Sequence, residues 1–240
     1  MVRIALAALI AATTLATLAP VHAGPAAPAA TGVIKGTVVF DGPAPERTKV
    51  RRDTDPYCAR TEMLTDDVIV VNGKLRDVLV RVKNGSLPPP AAVPPPVVFD
   101  QKDCMYVPHV VGVVAGQKLG IRNSDGTFHN VHGALAGNQI WNKPAGPGDP
   151  ELTLDAGAKP GDVIDLTCDV HKWMHAYAVV SDHAAFAVTG DDGAFELKGL
   201  PPGTYTVEAW HPVLGTKTVA VKLAKGKPAT AKFAFQPAGH

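Results

Sequence analysis

Apolar and polar residues alternate along most of the chain, in runs too short for a helical period and broken by glycine, proline and Asp-Gly or Asn-Gly pairs. "VIKGTVVFDG", residues 33–42, alternates and stops at Asp41-Gly42, as a half-buried strand ending in a turn does. "DVIVVNGKLRDVLVRVKNG", from Asp67, does so twice around Asn72-Gly73, a pair that tolerates the positive φ of a two-residue hairpin turn. The six prolines of "SLPPPAAVPPPVVFDQ" cannot donate to a sheet; they predict an extended strut and a domain boundary. Strand patterns resume in "PVVFDQ", "MYVPHVVGVVAG", "QKLGIRNSDG", "FHNVHGAL", "DVIDLTC" and "MHAYAVVSD", while "AGNQIWNKPAGPGDP" reads as a long Gly/Pro loop. Beyond Asp182 the pattern is strand and turn throughout, with corners at Asp192-Gly193, Pro202-Gly203 and Lys225-Gly226. The chain reads as all-β.

Composition narrows the function classes. A chain of 240 residues, 46% hydrophobic, buries a sizeable core, and 23 Gly with 22 Pro suit many short strands. Lys plus Arg number 23 against 22 Asp plus Glu, so no large field favours nucleic acid or an anionic membrane. Arg3, the apolar run 4–19 and Val21-His22-Ala23 read as a secretory signal over residues 1–23, cleaved before Gly24, with an uncleaved anchor as the alternative. Residues 24–31 form a Pro/Ala tether, and no later run is long and apolar enough to span a bilayer. The expectation is an exported protein, periplasmic or extracellular, in an oxidising compartment. No nucleophile elbow, zincin motif, P-loop or Rossmann fingerprint occurs, and no enzyme is expected. The basic run "ERTKVRR", residues 46–52, sits beside "DTD" and reads as a solvated loop; His183 and His211 read as loop residues.

The chemistry concentrates in "TCDVHKWMHAYAVV", residues 167–180. Cys168, His171 and Met174 follow a C-x2-H-x2-M spacing between the end of one strand and the start of the next, so a single turn curls three soft or borderline donors around one point. Upstream, "NSDGTFHNVHG" offers His129 at the start of a strand. Thiolate, thioether and two imidazoles together favour copper. The competing interpretation is core packing, where buried Cys and Met are common without metal.

The ordered pair "YVPHVVGVVAGQKLGIRNSDGTFHNV" and "TCDVHKWMHAYAVV" resembles the cupredoxins, blue-copper electron carriers, most closely the plastocyanin and amicyanin type, over residues 97–182. The resemblance implies an eight-strand Greek-key sandwich with one copper ion at one end. His129 and His171 would be the imidazole ligands, Cys168 the thiolate and Met174 the weak axial ligand. Asn130 would tie the two ligand loops together, and His171 would be the exposed edge through which electrons pass. Lys172 stands where such carriers often have Pro. His175 in place of Met174 as ligand is an alternative, His132 alternates to the opposite strand face from His129, and His109 in "YVPHVV" is a further candidate near the copper end. With Cys168 as a ligand, Cys58 and Cys104 remain to form one disulfide; two buried free thiols, or an approach of either to a second metal, are the alternatives.

"TGDDGAFELKGLPPGTYTVEAW" resembles the carboxypeptidase regulatory-like domain, a transthyretin-like β-sandwich, through Asp192, Gly193, Phe195 and the run from Gly199 to Tyr205. That family's opening strand has its counterpart far upstream in "TGVIKGTVVFDG", residues 31–42. The resemblance implies one sandwich assembled from residues 32–95 and 183–240, with a cupredoxin domain over 96–182 inserted; an N-terminal sheet merely preceding the copper domain is the alternative. The function expected is single-electron transfer between redox partner proteins. Copper storage, sensing or delivery is the second expectation, and a metal-free structural protein the third.

Overall fold

The computed structural model describes residues 31–237; the signal segment 1–23 and residues 24–30 of the tether lie outside the described residues. Four strands precede the prolines: β1 (Gly32–Phe40), β2 (Val70–Val71), β3 (Lys74–Leu75) and β4 (Leu79–Val82). Nine follow: β5 (Val97–Lys102), β6 (Met105–Val107), β7 (Val110–Val114), β8 (Leu119–Asn123), β9 (His129–Leu135), β10 (Asn138–Ala145), β11 (Leu152–Leu154), β12 (Val163–Thr167) and β13 (His175–Ser181). The last five are β14 (Phe186–Val188), β15 (Ala194–Leu200), β16 (Gly203–His211), β17 (Gly215–Leu223) and β18 (Ala229–Phe235). A 3-10 turn at Cys58–Arg60 is the helical element among the described residues, and no helix there is long and apolar enough to cross a membrane. The fold is all-β.

In one sandwich, β1 pairs in parallel with β18 over Ile34–Phe40 and antiparallel with β15 over Gly32–Thr37. The close approach to β18 requires Gly36, where a Cβ would lie 1.7 Å from the carbonyl oxygen of Ala231. The β2–β3 hairpin completes this sheet, with Asn72 at φ 49° and Gly73 at φ 74°, the left-handed pair its turn demands. The facing sheet runs β14-β4-β16-β17, and Val38, Phe40, Val80, Leu197, Val207 and Phe233 fill the space between. Strands from both ends of the chain thus share these two sheets.

The other sandwich packs β10-β9-β12-β13-β7 against β11-β8-β5-β6, nine strands where the cupredoxin resemblance implied eight. The additional strand corrects an expectation: residues 138–145, read as part of a Gly/Pro loop, form β10 on the edge of the sheet. An edge strand tolerates Pro144 because its missing N–H faces no partner. The stretch "MYVPHVVGVVAG" is likewise two strands in different sheets, since Pro108 interrupts the ladder between β6 and β7. Leu79 and Phe186 of the first sandwich meet Val110, Val179 and Tyr177 of the second in a small apolar cluster that joins them.

The segment between β1 and β2 leaves the first sandwich and crosses an end of the second. Lys49 bridges Leu64, and the amides of Val50 and Thr65 donate to Met63 O and Thr48 O, so the excursion is closed as a narrow loop. Its far end carries Asp55, Tyr57 and Cys58. Tyr57, Cys58 and Met63 pack with the core of the second sandwich.

Candidate metal centre

Two neighbouring strands bring the two candidate motifs to the same end of the second sandwich. β9 begins at His129 and β12 ends at Thr167, which pairs with His132 of β9 and His175 of β13. The loop 168–174 therefore starts beside the first turn of β9. It is closed by the Met174 amide donating to His171 O at 2.9 Å. His129 and Cys168 are 0% exposed and His171 is 1% exposed. One donor atom from each lies within 4.8 Å of the other two. The Nδ1 atoms of the two histidines face each other at 2.9 Å, and Cys168 Sγ lies 3.9 Å from His171 Nδ1.

The loops are tied below the site. Asn130 Oδ1 accepts from the Asp169 amide at 2.7 Å and from the Cys168 thiol at 3.3 Å, while its Nδ2 donates to Asn142 Oδ1 and Asp169 Oδ2. The Tyr106 hydroxyl lies 3.1 Å from Asn130 O and 3.0 Å from Thr167 O, and accepts from Gln101 Nε2. A fully buried phenol thus links the strand of one motif to the strand of the other.

Each ring is held by a carboxylate on its outer nitrogen. His129 Nε2 donates to Asp125 Oδ2 at 2.9 Å, and the same carboxylate accepts the amides of Asp103 and Cys104, both at 2.8 Å. His171 Nε2 donates to Asp55 Oδ2 at 3.0 Å; Asp55 also accepts from Thr127 Oγ1 and from the amides of Tyr57 and Cys58. Burial works against the charged form of Asp55, but these four hydrogen bonds outweigh it and hold the carboxyl at about 2. Burial would also push the Cys168 thiol up; hydrogen bonds from His129 and from nearby backbone amides reverse that and favour the thiolate. Against its burial, His129 is raised by Asp125 and Cys168. Burial dominates at His171 and lowers it, with Asp55 opposing.

With both Nε2 positions engaged as donors to carboxylates, the two Nδ1 atoms are left facing each other beside the Cys168 sulfur. Soft and borderline donors, buried together and oriented from behind by carboxylates, form a set that suits copper.

The other residues named from the sequence distribute as follows. Met174 is fully buried in the same apolar cluster as Cys168. Among the described residues, the converging donor groups include none of His175, His132 and His109. His175 Nε2 lies 3.0 Å from Lys172 O, His132 Nδ1 lies 3.0 Å from Asp169 Oδ1, and His109 is buried near Asp77, where the sandwiches meet. Cys58 and Cys104 form a disulfide with Cα atoms 5.7 Å apart.

Two expectations are corrected. His171 is not an exposed edge: Asp55, Cys58 Sγ at 3.7 Å from Nε2, and the Trp173 ring 5.0 Å away between centroids cover it. The run 46–52 is not simply solvated either, because Arg52 is 5% exposed and donates to Asp103 O at 2.8 Å. Sequence reasoning missed Asp55 and Asp125. Asp125 had a local signal, four residues before His129 in a turn, whereas Asp55 lies 116 residues from His171 and had none.

Comparison with known proteins gives a family match over part of the chain. The carboxypeptidase regulatory-like domain matches residues 175–236, which takes in β14–β18 and begins on β13 of the other sandwich. No curated protein matches the chain. Solved structures similar to it include amicyanin from Paracoccus versutus (18% identity, 48% of this chain and 99% of that one, TM-score 0.31). A purple cupredoxin from Nitrosopumilus maritimus shares 21% identity over 42% of this chain and 97% of its own, TM-score 0.29. A copper-containing nitrite reductase from Thermus scotoductus SA-01 shares 17% over 52% of this chain and 26% of its own, TM-score 0.32.

Proposed function

We propose that this chain is an exported mononuclear copper protein that passes single electrons between redox partner proteins and catalyses no reaction of its own. One observation carries the reading: three buried donor atoms, His129 Nδ1, His171 Nδ1 and Cys168 Sγ, converge within 4.8 Å, with both outer ring nitrogens occupied by carboxylates. Copper, when bound, supplies a one-electron couple suited to thiolate and imidazole donors. The chain's own part is rigidity. Strand pairing, Asn130 and the carboxylates hold the donors so that little has to move when the charge changes. Met174, buried in the same cluster as Cys168, would supply a further sulfur donor to the bound metal, whereas His175 is engaged at Lys172 O. Delivery of metal calls for an open ligand edge, and the covered His171 favours the carrier over that alternative.

The test is copper loading of the purified chain, followed by visible absorption and electron paramagnetic resonance. One copper per chain with an intense thiolate-to-copper band is expected. Cys168→Ser should abolish the band, and Met174→Leu should shift the reduction potential with the metal retained. Failure to take up copper, or a complex indifferent to Cys168→Ser, would sink the proposal.

A further inference from the structure

The excursion between β1 and β2 is fastened to the candidate centre at several independent points. Its Cys58 is bonded to Cys104 next to β6. Tyr57 lies on Gly126, where a Cβ would come within 2.7 Å of its ring, so the loop before His129 is shaped to receive it. Thr127 donates to Asp55 Oδ2 at 2.8 Å. Arg52 reaches Asp103 O, and Trp173 Nε1 donates to Cys104 O at 3.0 Å from the other side. At the middle of these contacts Asp55 accepts the outer N–H of His171. The ring is thereby fixed by a residue that belongs, through its strand connections, to the other sandwich.

We propose that Asp55 is a positioning residue for the metal centre: together with Cys58 it locks the His171 ring from outside and closes the edge by which a metal would leave. This rests on the copper reading above. Carboxylates behind a ligating histidine fix its tautomer and orientation, and their loss typically costs 10- to 100-fold in metal affinity. The closure adds a kinetic element. Displacing the metal requires His171 to swing, and His171 cannot swing while Asp55, Cys58 and Trp173 fill the space behind it.

The full-length chain tests this through Asp55→Ala, Asp55→Asn and Asp55→Glu. In copper-loaded protein, Asp55→Ala should release copper to an excess of chelator about 10- to 100-fold faster than the parent. It should also change the copper hyperfine splitting. Asp55→Glu should recover part of the rate, and Asp55→Asn should fall between. If Asp55→Ala fails to fold, Thr127→Val removes only the hydroxyl that steadies the carboxylate and should accelerate release about fivefold, the worth of one ordinary hydrogen bond. Parental rates and spectra in the folded variants would overturn the proposal. A second arm uses metal-free protein, in which nitrogen-15 NMR should show the His171 Nε2 proton protected from solvent exchange in the parent and exposed in Asp55→Ala. Should the parent take up no copper, the function proposed above falls while this arm still decides the role of Asp55; equal exchange in the two proteins would overturn it.

Discussion

Between the sheet that holds β1 and the one facing it, the buried side chains are Ile34, Val38, Leu197, Val207, Phe233 and their apolar neighbours. Between the two sheets of the other sandwich, Phe99, Ile121 and Leu166 share the interior and its end with Gln101, Asn123, Asp125, His129, Asn130 and His171. Burying polar groups costs free energy unless each finds a partner, and an apolar core would have served folding as well. Here Asp125, His129, Asn130 and His171 do find partners, but the pairing leaves two Nδ1 atoms and a sulfur pointing at one another. The first sandwich buries polar groups too, His211 and Thr189 among them, but among the described residues it brings no set of metal donors together. The other holds a set of donors that folding does not require.

The largest effect expected from this contrast lies in the apolar half. Phe233→Ala removes a ring packed 6.0 Å from Phe195 between centroids and should lower the unfolding free energy by about 4 kcal/mol. Guanidinium titration measures the loss, and the copper absorption of the folded fraction should stay unchanged. A spectrum that changes with Phe233→Ala would show the two halves to be more tightly coupled than the cluster around Leu79, Val110 and Val179 allows.

Acid should separate the halves next. His211, at the end of β16, is 1% exposed and accepts the amides of Val213 and Leu214 on Nδ1; burial lowers it from 6.5 to about 4. A base whose folded value is depressed is neutral in the fold, so its contribution is intact above the unfolded value. It is lost as pH falls from about 6.5 to about 4. The loss amounts to about 3 kcal/mol, and His211→Gln should flatten this part of the stability profile. Asp55, held at about 2 against an ordinary 3.8, titrates in the lower window instead. Its contribution is present above 3.8 and disappears as pH falls through 2, so stability measured from pH 7 to 2 should fall in two stages.

At the polar end, Asp125→Asn should cost about 2 kcal/mol, because an amide presents one oxygen where the carboxylate serves three donors and leaves buried N–H groups unpaired. Urea unfolding of the metal-free protein gives the value. An unchanged midpoint would mean that the carboxylate is not needed to hold the end of the sheet pair together.

What could be read from the sequence divides along the range of the contacts. The donors His129, Cys168 and His171 were visible because the first begins a strand, the second directly follows one and the third lies three residues on in the same short loop, so that their spacing is local. The hairpin at Asn72-Gly73 was visible for the same reason. The β9–β10 turn was hidden because Ala136, not Asn or Asp, takes the left-handed position at φ 47° before Gly137, and because Pro144 is acceptable on an edge. Trp141 lies over Gly133, a fit across strands that no single-strand pattern announces. The cover over His171 was hidden more deeply. Asp55 stands in a polar run like any solvated turn, and only the return of that excursion to the end of the second sandwich gives it a partner.

The smallest expected effect tests whether that polar end behaves as one unit. Tyr106→Phe keeps the ring that meets Phe99 edge-on and deletes only the hydroxyl between Asn130 O, Thr167 O and Gln101 Nε2. By itself the deletion should cost about 1 kcal/mol. The hydroxyl spans the strands that carry His129 and Cys168, so its loss should also alter the thiolate-to-copper band, which Phe233→Ala leaves alone despite costing several times more stability. If Tyr106→Phe lowers stability and leaves that band untouched, the donors are positioned by their own loops and the buried phenol is packing. If the band moves, the polar interior of the second sandwich extends the site inward from the loops to the strand pair beneath them.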